Sequence, residues 1–261
     1  MSFSPITGMT ETAIHTPADG LDEAAFKLPT FDGTIDAYYA KPKGQSRIPV
    51  ILVIQEIFGL HEHIRDVCRR FANLGYLAVS AELYQRQGDP NAFDNIPDVI
   101  SNIVSKVSDE QVMADLDACA NWAGQQGGDA SRLGVTGFCW GGRITWMYME
   151  HNPAAKAGVA WYGKLATGHG PLQKRNPVDV ANTLKGPVLG LYGGQDSSIP
   201  LEDVQRMEAE LAKGNEAARA SRIVVYPDSG HAFFADYRPS YREDDARDAW
   251  AKATDWFKSR L

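Results

Sequence analysis

A cysteine stands between two glycines at the end of an apolar run, in residues 135–142 with the sequence Val-Thr-Gly-Phe-Cys-Trp-Gly-Gly. A helix-compatible segment follows, so the pattern predicts a strand, a sharp turn and a helix. Gly137 and Gly141 flank Cys139 because such a turn leaves little room for Cβ atoms. The N-terminus of the helix would favour a thiolate, the nucleophilic form of a cysteine. Cys139 is therefore a candidate nucleophile, and a buried, inert cysteine is the alternative interpretation.

Two other reactive side chains follow later strand-like runs. Residues 188–192 lead into Gly-Gly-Gln-Asp, which ends at Asp196, and residues 223–226 lead into Pro-Asp-Ser-Gly-His, which ends at His231. Because ligands bind beyond the carboxyl ends of the strands in an open α/β sheet, both side chains are placed for chemistry. His231 would accept the thiol proton and return it to the leaving group, and Asp196 would orient the imidazole. Each segment alone also fits an ordinary turn, so the predicted triad of Cys139, His231 and Asp196 depends on all three placements.

Strand and helix patterns alternate along the rest of the chain. Apolar, β-branched runs predict strands at residues 50–54, 76–80, 133–136, 158–162, 188–192 and 223–226. Helical patterns separate them at residues 64–74, 108–122, 200–214 and 246–257. The alternation predicts an α/β protein with a mostly parallel central sheet and helices on both faces. With the chain order nucleophile, acid, base, this is the pattern of the α/β-hydrolase fold.

The beginning of the chain has a weaker pattern. Residues 1–30 are polar and show no clear periodicity, and we interpret them as an N-terminal arm. Residues 31–40 contain Asp-Gly followed by an alternating stretch, which predicts a peripheral strand or hairpin. Residues 31–261 contain no internal repeat and no convincing linker, so we expect them to form a single domain.

Composition narrows the classes of function. The chain has 261 residues, a hydrophobic fraction of 44% and a formal net charge of −7, which argues against nucleic acid or an anionic membrane as a partner. The N-terminal segment lacks the pattern of a signal peptide, and no apolar run reaches the roughly 20 residues that span a bilayer. The 3 cysteines do not make a disulfide framework, so we expect a cytoplasmic protein. Cys68 and Cys119 lie in helical patterns and are interpreted as structural.

A loop after the predicted strand at residues 50–54 completes the candidate site. Glu56 and Ile57 lie in that loop. In this fold the loop supplies one amide of an oxyanion hole, so the backbone N–H groups of Ile57 and Trp140 are the expected pair. A carboxylate at Glu56 is unexpected beside a thiol, because its charge disfavours a thiolate. Arg86, past the next strand, is a candidate contact for an anionic substrate, and a solvated surface arginine is the alternative.

Five ordered segments after about residue 31 resemble the dienelactone hydrolase family, also called carboxymethylenebutenolidases. They are Gln-Glu-Ile-Phe-Gly (55–59), Leu-Tyr-Gln-Arg-Gln-Gly (83–88), Gly-Phe-Cys-Trp-Gly-Gly (137–142), Gln-Asp (195–196) and Gly-His-Ala-Phe-Phe (230–234). The resemblance implies an α/β-hydrolase with a Cys139–His231–Asp196 triad. It also implies that the Glu56 carboxylate contacts the resting thiol until substrate displaces it, which would protect the cysteine from oxidation.

The pattern of that family includes a pair of arginines that hold the carboxylate of the substrate. Arg86 matches the first arginine, whereas Ala235 occupies the position of the second and Arg238 is the nearest arginine. The resemblance thus implies an anionic substrate, with Arg86 and Arg238 as its candidate contacts. Tyr84 and Phe234 lie in the matching segments and are further candidates for substrate contact.

Together these features predict a hydrolase that opens small enol-lactones or cleaves activated esters through an acyl-enzyme on Cys139. No cofactor is required. The sequence His61-Glu62-His63 is interpreted as exposed polar residues at a helix start, so no metal site is expected. One alternative is a general carboxylesterase or thioesterase on the same scaffold. The other is a ligand-binding or redox-sensing protein that uses the cysteine without turnover.

Overall fold

The computed structural model describes residues 11–261, and eight strands in this part of the chain form one mixed sheet. The strands are Leu21–Thr30 (β1), Gly33–Pro42 (β2), Ile48–Ile54 (β3), Leu77–Ala81 (β4), Gly128–Phe138 (β5), Ala155–Trp161 (β6), Val188–Gly193 (β7) and Arg222–Tyr226 (β8). Their spatial order is β1-β2-β4-β3-β5-β6-β7-β8. β2 is antiparallel to both of its neighbours, and every other pairing within this sheet is parallel. The prediction of a mostly parallel α/β-hydrolase sheet is confirmed.

Helices connect the strands and cover the sheet. They are Glu62–Asn73 (α1), Ile96–Asn102 (α2), Asp109–Gln125 (α3), Trp140–His151 (α4), Pro177–Val180 (α5), Leu201–Lys213 (α6), Glu216–Ala220 (α7) and Glu243–Lys258 (α8), with 3₁₀ turns at Pro90–Ala92, Val104–Lys106 and Ala181–Thr183. β4 and β7 are buried at every position, so both faces of the sheet are covered. Within residues 11–261, none of the helices is long and apolar enough to cross a membrane.

The helix boundaries follow local sequence rules. In α1, Ile64, Val67, Cys68 and Phe71 recur at spacings of three and four residues, and all are buried. The helix ends just before Gly75, which adopts a φ of +95° that few other residues tolerate. Such a stripe of apolar residues packs one face of a helix against the sheet.

The N-terminal boundary predicted from the sequence needs correction. Residues 21–30 form β1, which pairs with β2 from Leu21 opposite Pro42 to Thr30 opposite Gly33. The sequence pattern is weak because β1 is an edge strand in which only Leu28 is fully buried. Of the predicted arm, residues 1–10 lie outside the described part, and residues 11–20 contain no helix or strand.

The turn between β5 and α4, here called the elbow (residues 137–142), has no room for side chains at its glycines. Cys139 adopts φ 55° and ψ −115°, a strained conformation for a residue with a Cβ atom. A Cβ atom on Gly137 would lie 2.2 Å from the carbonyl oxygen of Gly141. A Cβ atom on Gly141 would lie 2.5 Å from the carbonyl oxygen of Gln55. The sheet and α4 can therefore meet this closely only with glycine at both positions.

Two of the three cysteines are packed into the core. Cys68 in α1 and Cys119 in α3 are buried, and burial raises the pKa of both thiols. Cys139 is partly exposed. Cys139 is thus accessible to solvent, as a reactive cysteine must be, whereas Cys68 and Cys119 are not.

Alanine substitutions at two glycines test the packing of the elbow. We expect Gly137→Ala to lower the free energy of unfolding by about 1–3 kcal/mol or more, because its Cβ atom would meet a backbone oxygen that cannot move independently. The control is Gly124→Ala in α3, where the nearest heavy atom would be 3.8 Å away and alanine is the better helix former. Urea denaturation measures both variants. Equal stability of Gly137→Ala and the wild type would contradict the packing described here.

Candidate active site

The elbow brings Cys139 to a cavity of about 210 Å³ at the carboxyl ends of the parallel strands. One wall of this cavity is apolar and consists of Ile57, Phe58, Ile96 and Ile100. The remaining lining residues carry polar groups: Cys139, Tyr162, Lys164, His169, Ser198, His231 and Arg238. A larger groove of about 450 Å³ lies beside α3 and α4, but its lining contains none of the predicted triad residues.

The three predicted triad side chains lie in contact at this cavity. His231 Nε2 is 3.2 Å from Cys139 Sγ, and His231 Nδ1 is 2.7 Å from Asp196 Oδ2. Asp196 follows β7 and is buried, and His231 follows β8 and is partly exposed. A thiol sulfur, an imidazole and a carboxylate are thus connected in series, which is the arrangement that nucleophilic catalysis uses.

The neighbouring groups in this series shift the pKa values of His231 and Asp196. Burial lowers the pKa of His231, but the Cys139 sulfur and the Asp196 carboxylate outweigh it and raise that pKa to about 10. Burial raises the pKa of Asp196, but its hydrogen bonds with His231 and Ser198 more than compensate and lower it. The arrangement therefore favours the protonated imidazole of His231 and the ionised carboxylate of Asp196.

Ser198 belongs to this arrangement although the sequence analysis did not identify it. Its Oγ and its backbone N–H donate to Asp196 Oδ1, at 2.6 and 2.9 Å. The same Oγ lies 3.2 Å from His231 Nδ1. The signal in the sequence is Asp-Ser-Ser at 196–198, because an aspartate often accepts from the backbone two residues on. Ser198 thus fixes the orientation of the carboxylate.

The two predicted oxyanion-hole residues lie in the loop after β3 and at the start of α4. Ile57 lines the cavity, and Trp140 follows Cys139 as the first residue of α4. Neither backbone N–H donates to a backbone carbonyl elsewhere in residues 11–261. The loop that carries Ile57 is held by Glu82, whose Oε2 accepts a 2.6 Å hydrogen bond from the Leu60 N–H. Both amides are therefore available as donors for an anionic oxygen.

Glu56 is buried beside the elbow, but its partner is not the thiol that the resemblance implies. Its Oε2 accepts a 2.5 Å hydrogen bond from the Tyr237 hydroxyl and lies 3.3 Å from His61 Nε2. Burial works against ionisation, but the His61 imidazole beside the carboxylate, followed by His63 and the Tyr237 hydroxyl, holds the pKa of Glu56 below its usual range. The carboxylate is therefore anionic, and within residues 11–261 it makes no hydrogen bond with Cys139.

The prediction that Arg86 contacts the substrate needs correction. Its guanidinium pairs with Asp32 at 2.6 and 2.7 Å and with Asp115 at 2.8 and 3.0 Å, and it also donates to Thr30. Arg86 is not part of the cavity lining. With two carboxylates already bound, the side chain joins β1, α3 and the loop after β4 and is not placed to hold a substrate anion.

Tyr84 and Phe234 are also placed differently from the prediction. Tyr84 is fully buried, with its ring 4.9 Å from that of Trp140. Phe234 packs in the core against Trp161, with ring centroids 4.4 Å apart. Neither residue lines the cavity. The apolar surfaces of Tyr84 and Phe234 pack against other buried aromatic rings, and so they are not available for contact with a substrate.

Arg238 does line the cavity, together with two residues that the sequence analysis did not select. Its guanidinium lies 5.5 Å from the centre of the Phe58 ring. Lys164 and His169 line the same cavity. Burial, followed by the charge of Lys164, lowers the pKa of His169 to about 3. Within residues 11–261, neither Arg238 nor Lys164 has a carboxylate within ion-pair distance.

The predicted exposure of His61 and His63 is wrong. His63 is buried with Nδ1 3.3 Å from Asp236 Oδ1, and the side chain of His61 is 9% exposed. Each histidine therefore faces a different carboxylate, which explains why the pair turns inward at the start of α1. Residues 11–261 contain no group of three or more His, Cys, Asp or Glu side chains that could hold a metal ion.

The sheet order, the elbow and the side chains at the strand ends define the chain as an α/β-hydrolase. Comparison with known proteins agrees: a family model described as "Dienelactone hydrolase family" matches residues 35–261. A "Putative carboxymethylenebutenolidase" from Salmonella typhimurium is 53% identical over 257 residues, which cover 98% of this chain and 94% of that protein. The chain therefore belongs to the dienelactone hydrolase family, whose members are hydrolases of lactones and esters.

Two further relatives support the assignment. A protein of the same name from Methylorubrum extorquens is 55% identical over 249 residues, which cover 95% of this chain and 84% of that protein. A crystal structure titled "Putative Dienelactone Hydrolase" from Klebsiella pneumoniae superposes with a TM-score of 0.88 at 51% identity. The superposition covers 91% of this chain and 98% of that chain. Similarity thus extends over nearly the whole described fold.

Titration of His231 tests the electrostatics of the site. We expect its imidazole to stay protonated up to about pH 10, because the sulfur and the Asp196 carboxylate favour the imidazolium. Its contribution to stability should be fully present below about pH 6.5, the unfolded value, and lost as the pH rises through about 10. Asp196→Asn should move the midpoint to lower pH.

Histidine-selective NMR measures that midpoint, and the spectrum of His231→Gln assigns the resonance. An imidazole that titrates near its unfolded value of about 6.5 in the wild type would contradict the description. So would a midpoint that Asp196→Asn leaves unchanged.

Proposed function

We propose that the protein hydrolyses small lactones or activated esters through a covalent acyl-enzyme on Cys139. The observation that carries the proposal is the contact of Cys139 Sγ with His231 Nε2 at 3.2 Å, at the cavity and in line with Asp196. Cys139 is partly exposed, lies at a strained turn and contacts an imidazole, whereas the other two cysteines are packed in the core.

The proposed reaction has two halves. In the first, His231 takes the thiol proton of Cys139, the sulfur attacks the substrate carbonyl carbon, and the N–H groups of Ile57 and Trp140 stabilise the oxyanion. The C–O bond to the leaving oxygen then breaks, and that oxygen takes a proton from His231. In the second, His231 removes a proton from water, the hydroxide attacks the thioester carbonyl, the C–S bond breaks, and the leaving sulfur takes that proton back from His231. With a lactone, both halves yield one ring-opened hydroxy acid or its keto form.

The proposed substrate is small and anionic. A cavity of about 210 Å³ is smaller than the roughly 300–1,000 Å³ typical for drug-sized ligands. Arg238 and Lys164 line it, and no aspartate or glutamate does. Two cations without a carboxylate partner in residues 11–261 favour a substrate that supplies one. In this proposal Arg238 binds the carboxylate of the substrate, a contact that the sequence predicted for both Arg86 and Arg238.

Substitution of the cysteine tests the mechanism. Cys139→Ala should lower kcat/KM for p-nitrophenyl acetate and for a dienelactone by roughly 10³-fold or more, because a nucleophile acts together with its base. Cys119→Ala is the control, since that residue is buried in α3 and does not line the cavity. Release of p-nitrophenolate and loss of dienelactone absorbance measure the rates. A loss of only a few-fold in Cys139→Ala would refute the acyl-enzyme.

A matched pair of esters tests the charge of the substrate. Arg238→Met and Lys164→Met should each raise KM for mono-p-nitrophenyl succinate by about tenfold, the effect of one lost charge-assisted hydrogen bond. Values for the neutral p-nitrophenyl butyrate should stay near those of the wild type. Lys156→Met, at an exposed position of β6, is the control that removes the same charge. Equal losses with both esters would instead favour a general carboxylesterase.

A further inference from the structure

The segment between β6 and α5, residues 162–176, forms part of the polar side of the cavity and is called the β6–α5 loop here. It contributes Tyr162, Lys164 and His169 to the cavity lining. The side chain of Tyr162 is fully buried, and Lys164 is assigned above to the carboxylate of the substrate. His169 is therefore the residue of this loop that the proposed reaction does not use.

The backbone at His169 is anchored by Gln173, a buried residue four positions later. The His169 N–H donates to Gln173 Oε1 at 2.7 Å, and Gln173 Nε2 donates to the carbonyl oxygen of Val104 at 3.3 Å. Gly170 packs against the same region, because a Cβ atom there would lie 2.6 Å from the Cα atom of Ser105. Both contacts reach the 3₁₀ turn that follows α2, so the β6–α5 loop is attached to the segment that supplies part of the apolar wall.

The two ring nitrogens of His169 differ in their surroundings. Nδ1 is buried and has no hydrogen-bond partner within residues 11–261, whereas the same is not true of Nε2. An N–H group without an acceptor is rare inside proteins, so Nδ1 should be unprotonated. The proton of the neutral imidazole then lies on Nε2, the nitrogen that a molecule in the cavity can reach.

The charges around His169 favour its neutral form. Burial, followed by the charges of Lys164 and Arg143, lowers the pKa of His169 to about 3, and His231 acts in the same direction. The side chain of Gln173 works against this effect but does not overcome it. Among residues 11–261, no aspartate or glutamate lines the cavity to stabilise an imidazolium. Near neutral pH, His169 is therefore an uncharged hydrogen-bond donor.

We propose that His169 determines specificity by donating a hydrogen bond from Nε2 to a second, uncharged oxygen of the substrate. This oxygen differs from the scissile carbonyl, which the oxyanion hole binds, and from the carboxylate, which Arg238 and Lys164 bind. A neutral imidazole suits a ketone oxygen, because a carboxylate gains more from the two cations. The proposal deepens the function proposed above and rests on it, since it concerns the same cavity. It narrows the substrates to lactones and activated esters that carry both a carboxylate and a ketone.

The burial of His169 makes such a contact selective. A donor in a desolvated pocket is left unpaired when the bound molecule offers no acceptor, so an analogue without the ketone binds less tightly. The apolar wall described above contacts the carbon skeleton, and its side chains offer no competing hydrogen bond.

Binding of three acids of equal chain length tests the proposal without any turnover. Valerate carries a carboxylate alone, whereas α-oxovalerate and levulinate add a ketone at a short and at a longer distance from it. We expect the wild type to bind at least one of the two oxo acids about fivefold more tightly than valerate, which is the effect of one neutral hydrogen bond. Isothermal titration calorimetry measures the three dissociation constants.

Variants of His169 identify the donor. His169→Leu should bind the oxo acids and valerate equally, whereas His169→Gln should keep part of the preference through its carboxamide N–H groups. His151→Leu is the matched control, since that histidine is exposed and does not line the cavity. A wild type that prefers neither oxo acid would overturn the proposal, and so would a preference that survives in His169→Leu. Hydrolysis by Cys139→Ala at the wild-type rate would refute the acyl-enzyme and leave these affinities unaffected.

The tautomer of His169 is measured by ¹⁵N NMR of the histidine rings, independently of any ligand, with His169→Gln as the assignment. We expect Nδ1 to be unprotonated and Nε2 to be protonated from about pH 5 to about pH 9. A proton on Nδ1, or a titration midpoint near the unfolded value of about 6.5, would contradict the neutral donor.

Discussion

The structure depends on how closely the backbone of α4 approaches the ends of β3 and β6. A Cβ atom on Gly141 would meet the carbonyl oxygen of Gln55 at 2.5 Å, and one on Gly142 would meet that of Trp161 at 2.3 Å. This contact forces Cys139 into a positive φ and lifts its sulfur out of the sheet. It also brings the loops after β3 and β6 to the sulfur. The position of the Cys139 sulfur at the cavity thus depends on the absence of side chains at Gly141 and Gly142.

The charges around the sulfur are arranged in two layers. The first is the series from the Cys139 sulfur through His231 to Asp196, in which the sulfur and the carboxylate favour the protonated form of the imidazole. The second is the buried Glu56, whose charge would oppose the first layer if it reached the sulfur. The hydroxyl of Tyr237 donates a hydrogen bond to the Oε2 atom of Glu56. Buried charge is thus tolerated here because every anion has a donor or a cation within reach.

The sequence predicted those parts of the fold and site that depend on local pattern. The β-branched run in β3 and the glycines beside Cys139 leave few alternatives, because strand burial and a crowded turn restrict the residue types directly. The strand ends located Asp196 and His231, because parallel strands end at the same edge of the sheet. Local sequence rules failed where a side chain pairs with a residue distant in the sequence. Arg86 pairs with Asp115, 29 residues away, and therefore does not line the cavity. Only the folded chain shows which arginine is already neutralised.

The central claim is that Cys139 carries the acyl group, and mass spectrometry of the enzyme during turnover tests it most directly. The protein is mixed with p-nitrophenyl acetate, quenched with acid in the steady state, digested and analysed by peptide mapping. We predict one acetyl group, removable by hydroxylamine, on the peptide that contains Cys139. An acetyl group on Ser198 instead, or turnover with no covalent adduct on Cys139, would contradict the account.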